Sequence, residues 1–288
     1  MKRGNLMSNL RILSNNQWWS DSNKPAWKEM GLDCSAKVRV PGFLRMFGET
    51  KPDIIGLQEC SMIMADLEMR GFSELGLGYA FLWGRDTPIL YKTDKFELVD
   101  SAYLVYPKEV PGFEGEFNNL NTKAYCIAVL RSKEDGKLLV FGTTHLWYMS
   151  SNPNSKYYQP GSDEARVYQL GLMMDKAEEL SGKYNNCPIV LVGDMNAQGS
   201  SPCVQNAYAR GYDDARDIAT DYADGGHGMH KCGEDGYGPY EPLDPIKAID
   251  RVFVKNAPEG FVRRFERFKE EYYMTLSDHL PVYIDVEL

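Results

Sequence analysis

The strongest constraint on the fold is a series of short apolar runs that recurs along the whole chain, each bounded by turn-forming residues. Several runs are followed directly by polar residues, as expected for strands that end at the rim of a site. The runs predict strands at residues 10–14, 54–57, 89–91, 96–99, 125–130, 138–143, 189–192, 249–254 and 282–286.

Segments with apolar residues at helical spacing lie between these runs. Helices are predicted at residues 36–47, 61–69 and 163–180, the last because its apolar residues repeat on one helix face. No linker rich in Pro, Ser or Gly, no internal repeat and no low-complexity block divides the chain. The mixture of strands and helices therefore predicts an α/β fold in a single domain over residues 1–288.

Three stretches rich in Gly, Pro, Asn or Tyr interrupt this pattern, and they are predicted to be long surface loops. They cover residues 106–121, 148–161 and 221–245. Loops of this length in a compact domain are commonly functional or mobile.

The charge balance bears on possible partners. The chain has 41 acidic and 32 basic residues, for a formal net charge of −9. A protein that grips extended duplex nucleic acid needs a basic face, so this balance disfavours such a partner. The cluster of Arg263, Arg264, Arg267 and Lys269 is interpreted as solvated surface.

The six cysteines are spread singly, without a CxxC pair, which is typical of buried thiols in a reducing compartment. No apolar run has the length of a signal peptide core or a membrane span. A cytoplasmic protein is therefore expected.

The segment VLVGDMNAQ places two polar side chains just after a predicted strand. Asp194 and Asn196 stand two residues apart, so both point to the same side of an extended backbone. A carboxylate beside an amide suits a site that activates an oxygen nucleophile and holds a phosphate. An ordinary turn after a strand explains the same residues when the motif is taken alone.

Three further residues adjoin predicted strands. Asp278 and His279 precede the last strand, where Asp can reach a cation and His can donate a proton, although a helix cap and a surface His are equally plausible. Glu59 follows the strand at 54–57 and is suited to bind a hard cation such as Mg²⁺, although an exposed Glu at a helix start explains it as well.

Two more candidates are His145 and Asp250. Asp250 lies within an apolar strand, where an unpaired charge is costly, and a pair with His279 would remove that cost and orient the imidazole. His145 follows the strand at 138–143, and a hydrogen-bonded core histidine is the plainer explanation for it.

In chain order, these motifs resemble the endonuclease/exonuclease/phosphatase superfamily. The resemblance implies a four-layer sandwich, in which two mixed β-sheets pack face to face with helices on both outer sides. Its segments are LRILSNN with Asn16, IIGLQE with Glu59, ILYKTDKFELVDS, TTHL with His145, VGDMN with Asp194 and Asn196, IDRVFV with Asp250, and SDHLPV with Asp278 and His279.

The resemblance also implies how the cation and the nucleophile are handled. Glu59 would bind a divalent cation, Mg²⁺ or alternatively Mn²⁺, with Asn16 and Asp278 close by. Asp194 would position or deprotonate the attacking water, and Asn196 would orient a phosphate oxygen.

Two histidines complete the implied site. His279, held by Asp250, would contact the phosphoryl group. A His at the position of His145 is similar to the branches of the superfamily that contain pancreatic-type DNases, inositol-polyphosphate phosphatases, sphingomyelinases and poly(A)-shortening enzymes. Whether Asp194 or His279 is the base is left open by the sequence.

Candidate substrate contacts come from aromatic and loop residues. Trp18 and Trp19, with Trp147 beside His145, are interpreted either as a pocket lining or as ordinary packing. His227 and His230 are interpreted as phosphate contacts, as ligands of a second metal or as part of a plain mobile loop, and the plain loop is favoured.

The predicted function is hydrolysis of a phosphomonoester or phosphodiester, with a small-molecule phosphate ester as the expected substrate. The alternatives are a nuclease or deadenylase acting on single-stranded nucleic acid and a non-catalytic binding module on the same fold. The sequence determines neither the biological substrate nor the oligomeric state.

Overall fold

A computed structural model describes residues 9–222, 228–230, 240–242 and 247–288, with only the backbone for the two short internal segments. Its strands are β1 Asn9–Asn16, β2 Ile54–Gln58, β3 Tyr79–Leu82, β4 Ile89–Lys92, β5 Phe96–Val105, β6 Ala124–Ser132, β7 Leu138–His145, β8 Ile189–Asp194, β9 Asp213–Asp214, β10 Asp221–Tyr222, β11 Gly228–His230, β12 Tyr240–Pro242, β13 Asp250–Lys255, β14 Val262–Arg267 and β15 Val282–Glu287.

The helices follow the amphipathic segments of the sequence. They are α1 Pro25–Glu29, α2 Ala36–Thr50, α3 Met62–Glu74, α4 Ser162–Lys183, α5 Pro202–Ala209 and α6 Ala215–Ile218, with a 3₁₀ helix at Glu271–Thr275. No helix among the described residues is long and apolar enough to cross a membrane.

The strands form two large mixed sheets. The first sheet has the order β10-β14-β15-β1-β2-β4-β3, with β1 parallel to β2 and antiparallel to β15. The second sheet has the order β5-β6-β7-β8-β13-β9, with β7 parallel to β8 and β8 antiparallel to β13. Strands β11 and β12 pair only with each other among the described residues.

The two sheets pack face to face through an apolar core. Ile12 and Ile54 from the first sheet meet Phe141 and Val192 from the second, all buried. At Gly56 the sheets approach so closely that a Cβ would lie 2.6 Å from Val192 Cγ2. Only glycine fits at this point of contact between the sheets.

Helices cover both outer faces. Helices α2 and α3 bury Phe43, Phe47 and Phe72 against the outer face of the first sheet. Helices α4 and α5 bury Met173 and Val204 against the second sheet. These layers confirm the predicted four-layer sandwich.

The basic cluster in the last third of the chain was interpreted as solvated surface, and the structure corrects this interpretation. Residues Val262–Arg267 form strand β14, and Arg267 is buried rather than solvated. Arg263 pairs with Glu287 on the neighbouring strand, and Arg264 pairs with Asp221. Cross-strand ion pairs allow charged residues to occupy a strand that their composition does not predict.

The predicted loops and cysteines are a second point of comparison. Residues 106–121 and 148–161 contain only isolated bridges, whereas 221–245 contains β10, β11 and β12 besides residues outside the described part of the chain. The five described cysteines are buried free thiols, as expected.

Candidate active site

The register of the second sheet brings three polar side chains together at one end. His145 is the last residue of β7 and lies opposite Asp194, and Asp194 at the end of β8 lies opposite Asp250. Directly opposed residues on neighbouring strands are about 5 Å apart, so the backbone ladder alone places the three side chains side by side.

The bend before Asp194 requires glycine. Gly193 has φ +147°, and a Cβ there would lie 2.0 Å from the carbonyl oxygen of Thr144 on β7. A side chain at this position would push β8 away from β7. Gly193 therefore keeps Asp194 in line with His145.

Asp194 is the centre of the cluster, with 1% of its surface exposed. Its Oδ2 accepts from Asn16 Nδ2 at 3.1 Å and lies 3.3 Å from His145 Nε2, while Oδ1 accepts from the backbone N of Asn196 at 2.8 Å. Burial raises the pKa of Asp194, but the charges of His279 and its neighbours outweigh burial and hold the pKa below its usual range.

His279 is oriented from two sides. Its Nδ1 lies 2.8 Å from Asp250 Oδ2, which is the pair that the sequence suggests, and its Nε2 lies 3.8 Å from Asp194 Oδ2. Ser277 ties this turn to the end of β1, since its hydroxyl donates to the carbonyl of Asn16 and accepts from the backbone N of His279. Burial lowers the pKa of His279, but Asp250 and Asp194 raise it well above its usual range.

Asn16 joins the two sheets at the site. Its Nδ2 lies 3.3 Å from Glu59 Oε1 as well as 3.1 Å from Asp194, and its Oδ1 accepts from the backbone N of Trp18. Glu59 Oε2 in turn accepts from the backbone N of Trp19 at 2.9 Å. The end of β1 therefore links both carboxylates directly.

Glu59 has an unusual backbone conformation. It has φ +55°, in the left-handed region that non-glycine residues seldom adopt. Burial raises the pKa of Glu59, yet the electrostatic influence of His145 and Lys123 outweighs burial and lowers it overall. Such strain at a residue that faces polar groups is frequent at functional sites.

Asp278 presents an acceptor without a donor. Its buried Oδ1 has no hydrogen-bond partner among the described residues, and it lies 3.9 Å from His279 Nε2. Burial raises the pKa of Asp278 to about 6, and the charges of Glu59 and Asp194 add to this while His279 opposes it. A cation near this oxygen would supply the missing contact and reduce the repulsion between Asp278 and the carboxylates of Glu59 and Asp194.

The donor set fits a hard divalent cation. Ligand atoms of Glu59, His145 and Asp194 lie within 4.8 Å of one another, and Asp194, Asp250 and His279 form a second such group. The second group is already satisfied by its His–Asp hydrogen bond. Glu59 also lies near enough for its charge to raise the pKa of Asp278, whose buried Oδ1 is unpaired among the described residues, and carboxylate oxygens are the ligands that Mg²⁺ prefers.

Lys123 is a site residue that the sequence did not reveal. It is 5% exposed, and its Nζ lies 2.6 Å from His145 Nε2. Burial lowers its pKa, against the raising effect of Glu59 and Asp194. His145 Nε2 cannot both accept from Lys123 and donate to Asp194, so its tautomer decides which contact is a hydrogen bond. A single lysine before a strand carries no pattern that would mark it.

Arg39 on α2 is a second residue that sequence reasoning missed. Its guanidinium is 1% exposed and donates to five backbone carbonyls. These carbonyls belong to Gln17, Trp18, Ser20, Cys34 and Leu276. Arg39 thereby holds the loop after β1 against the turn that carries Asp278 and His279.

The predicted aromatic contacts lie mostly inside the protein. Trp18 is 7% exposed and packs against Trp27 with tilted rings, and Trp147 is 2% exposed with its Nε1 donating to Gln159. These positions favour packing, the alternative interpretation of both residues. Trp19, in contrast, is 48% exposed.

The remaining predicted residues have different positions. Asn196 is half-buried beside Asp194, and its Nδ2 donates to the carbonyl of Leu146 at 3.1 Å. His230 lies on β11, where only the backbone is described, and His227 lies outside the described residues.

Comparisons with known proteins agree with this fold. A model of the "Endonuclease/Exonuclease/phosphatase family" matches residues 38–279, which include every predicted site residue except Asn16, Trp18 and Trp19. No curated protein matches the chain.

Solved structures give similar folds at low sequence identity. An endonuclease/exonuclease/phosphatase from Bacteroides vulgatus has a TM-score of 0.73 and 20% identity, over 98% of this chain and 99% of that one. A mannosyl-6-phosphatase from Bacteroides thetaiotaomicron has 0.72 and 19%, over 97% and 100%. TDP2 of D. rerio, complexed with a single-strand DNA product, has 0.64 and 17%, over 98% and 100%.

Proposed function

We propose, because the chain belongs to the endonuclease/exonuclease/phosphatase family, that it hydrolyses a small phosphate ester by attack of water with the help of a divalent cation. The observation that carries the proposal is the convergence of both sheets on Asp194. Asn16 and His279 come from the first sheet, and His145 comes from the second.

Glu59 and Asp278 would hold the cation, with Asn16 close by. Mg²⁺ is the expected ion and Mn²⁺ the alternative, since both accept carboxylate oxygens. Bound there, a divalent cation would polarise a phosphoryl oxygen and offset its negative charge. The unpaired Oδ1 of Asp278 and its raised pKa support this assignment.

Asp194 would orient the attacking water and accept its proton. Its carboxylate is held by Asn16 and by the backbone N of Asn196, so its direction is set before the substrate binds. Water oxygen would form the new bond to phosphorus while the ester P–O bond breaks, and no covalent enzyme intermediate is needed.

Hydrogen-bond donors and a positive charge would stabilise the negative charge on the phosphoryl oxygens. His279 would donate from Nε2, because its Nδ1 faces Asp250. Asn196 would offer its amide to a phosphate oxygen, and Lys123 would add a positive charge beside His145. Without positive charge at His279 and Lys123, the acidic residues of the cluster would repel an anionic substrate.

Proteins of similar structure and the net charge of the chain both indicate the class of substrate. One similar structure is a mannosyl-6-phosphatase, and a net charge of −9 weakens long-range attraction for polyanions. Both support a small phosphate ester. A nuclease or deadenylase is the second candidate, because a similar structure, TDP2, is complexed with a single-strand DNA product.

The test is a panel of phosphomonoesters and phosphodiesters assayed with Mg²⁺, with Mn²⁺ or with a chelator. We expect hydrolysis of at least one small ester, loss of activity with chelator, and recovery when the ion is restored. Activity that survives the chelator would overturn the cation requirement, and activity retained in Asp194→Asn would overturn the site.

A salt titration separates the second candidate. Binding of a single-stranded oligonucleotide that weakens steeply as salt increases would require neutralisation of several phosphates and would favour a nuclease. Weak binding with little salt dependence is expected for an enzyme of small esters. A non-catalytic binding module would bind esters and hydrolyse none of the panel.

A further inference from the structure

An open cavity of about 340 Å³ borders the active-site cluster. Its walls come from the loop after β1, the start of α3, the β3–β4 connection and the loop before β6. Residues that line it include Trp19, Met62, Trp83, Asp86 and Leu120. This volume is in the range of small-molecule pockets, which begins at about 300 Å³.

Large apolar side chains are exposed on the walls of this cavity. Trp19 is 48% exposed, Trp83 39%, Leu120 63% and Met62 74%. Single exposed apolar residues need no explanation, but several that face one cavity beside a polar cluster are typical of a binding site.

The indole of Trp19 is held in place before any ligand binds. Its Nε1 donates to Asp21 Oδ2 at 3.1 Å, and the other oxygen of Asp21 accepts from the hydroxyl of Ser61. Ser61 caps α3, where its hydroxyl accepts from the backbone N of Met64. An exposed tryptophan fixed in this way loses little side-chain entropy when a ring stacks on it.

The backbone of Trp19 joins the cavity to the proposed cation ligands. Its backbone N donates to Glu59 Oε2 at 2.9 Å. The preceding residue, Trp18, has φ +51°, which is unusual for a bulky side chain. This turn buries the indole of Trp18 and leaves that of Trp19 exposed at the cavity.

Two charged residues of the β3–β4 connection also line the cavity. Arg85 and Asp86 line it, and the pKa of Asp86 is raised to about 6 by burial first and also by the charge of Glu59, while His145, Arg85 and Lys123 lower it. Asp86 therefore lies within the electrostatic reach of the cluster. A ligand in the cavity would have a donor and an acceptor available at its edge.

We infer that this cavity binds a planar aromatic group carried by the leaving group of the ester, with Trp19 as its stacking surface. This inference rests on the proposed hydrolysis of a small phosphate ester. A ring on Trp19 would leave its phosphate close to Glu59, whereas an aliphatic or sugar group would gain less from the rigid indole. A nucleobase is the test case for such a ring.

Two pairs of substrates isolate the contribution of the ring. Adenosine 5′-monophosphate and uridine 5′-monophosphate are each compared with ribose 5-phosphate, which has the same phosphate and sugar but no base. We expect a lower KM for the nucleotides in the wild-type protein. Trp19→Ala should raise their KM by about fivefold to 100-fold and leave ribose 5-phosphate unchanged, since base stacking contributes that much.

Two variants control for general damage. Trp19→Phe should retain most of the preference, because it keeps an aromatic face. Tyr158→Ala removes an aromatic that is 43% exposed outside this cavity, and it should change neither KM. Equal KM values for nucleotides and ribose 5-phosphate in the wild type, or an equal effect of Trp19→Ala on both, would overturn the inference.

Binding of free nucleosides distinguishes the two proposals when no ester is hydrolysed. Adenosine and uridine should bind the wild type and Asp194→Asn equally, and bind Trp19→Ala more weakly by the same fold-change as KM, measured by calorimetry. Binding that depends on Trp19 without any hydrolysis would support the cavity and contradict the proposed function. Hydrolysis of small esters without nucleoside binding would leave the function and overturn the cavity.

Discussion

The two sides of the candidate active site are built in different ways. On the second sheet, His145, Asp194 and Asp250 are neighbours because hydrogen-bonded strands put them opposite one another. On the first sheet, Glu59 and Asp278 lie beyond the ends of strands. The backbone ladder positions one side, while side chains from a helix and from loops position the other.

The side on the first sheet depends on buried polar groups. Trp18 and Glu59 both have positive φ, and Arg39 holds the surrounding carbonyls. Ser277 connects the turn of His279 to β1. Because loops lack a ladder, the geometry of this side should be lost more readily when its supports are removed.

The largest expected effect is a loss of catalytic rate when Asp194, on the second sheet, is replaced. Asp194→Asn should lower kcat by about 10²- to 10⁴-fold, because the amide cannot accept the proton of the attacking water. The free energy of unfolding should change by no more than about 1 kcal/mol, since the ladder that positions residue 194 is intact. Steady-state kinetics and urea denaturation measure both quantities.

An unstable Asp194→Asn variant would contradict the proposed difference between the two sides. It would mean that the carboxylate, rather than the backbone register, holds this end of β8. Loss of activity without loss of stability would support that difference.

The next largest effect is expected on stability when Arg39, which supports the side of the site on the first sheet, is replaced. Arg39→Met should lower the free energy of unfolding by about 3–5 kcal/mol, because buried carbonyls lose their charged donor. Activity should fall as well, since the loop after β1 and the turn at Asp278 share this support. Thermal denaturation with circular dichroism is the measurement.

Arg45 on the same helix provides the matched control. Its side chain is exposed, pairs with Glu49 and lies over Tyr272. Arg45→Met should leave the melting temperature and the activity nearly unchanged. Equal losses in the two variants would show that Arg39 has no special role.

A smaller effect is expected on the affinity for the cation. Glu59→Ala should raise the Mg²⁺ concentration needed for half-maximal activity by about 100-fold, and activity should partly recover at high Mg²⁺, because one carboxylate ligand is gone. Glu74→Ala, at an exposed position at the end of α3, serves as the control and should leave the titration unchanged. An unaltered Mg²⁺ dependence in Glu59→Ala would argue against its role as a ligand.

The smallest expected effect is a change with pH in the free energy of unfolding, caused by Glu68 in the same supporting region. Glu68 on α3 is fully buried and accepts a hydrogen bond from Gln17. Burial raises its pKa to about 8, opposed by Gln17 and Arg39. The neutral carboxyl thus contributes stability that is complete below the unfolded pKa of about 4.3 and is lost as the pH rises through 8.

Comparison with Glu68→Gln isolates this contribution, because the amide has the same shape but does not titrate. Relative to the variant, the wild type should lose on the order of 2 kcal/mol of unfolding free energy between pH 6 and pH 8. Urea denaturation at pH 6, 7 and 8 tests this. A constant difference across that range would mean that Glu68 does not titrate there in the folded protein.

Much of the fold and of the candidate site could be predicted from local patterns. Apolar runs marked most of the strands that carry the site, and polar residues at the ends of runs marked Asp194 and Glu59. The basic strand β14 was not predicted, because its charges are neutralised by residues distant in the sequence.

The choice between neighbouring aromatics could not be made from the sequence either. Trp18 and Trp19 are equivalent there, and the left-handed turn at Trp18 decides which indole is buried and which is exposed. Lys123 and Arg39 carried no pattern, since their roles arise from contacts with residues on other elements.

The sequence alone predicted most of the strands that carry the site and the chemical groups at their ends, because these depend on side-chain periodicity and residue type. Which of these groups come into contact depends on how the strands and helices pack. The register that aligns His145 with Asp194 depends on strand pairing, and the burial of Arg39 and Lys123 and the contacts of Asp194 with Asn16 and His279 depend on the packing of distant elements. Contacts between residues far apart in the chain have no local signature, so that part of the site is a property of the fold.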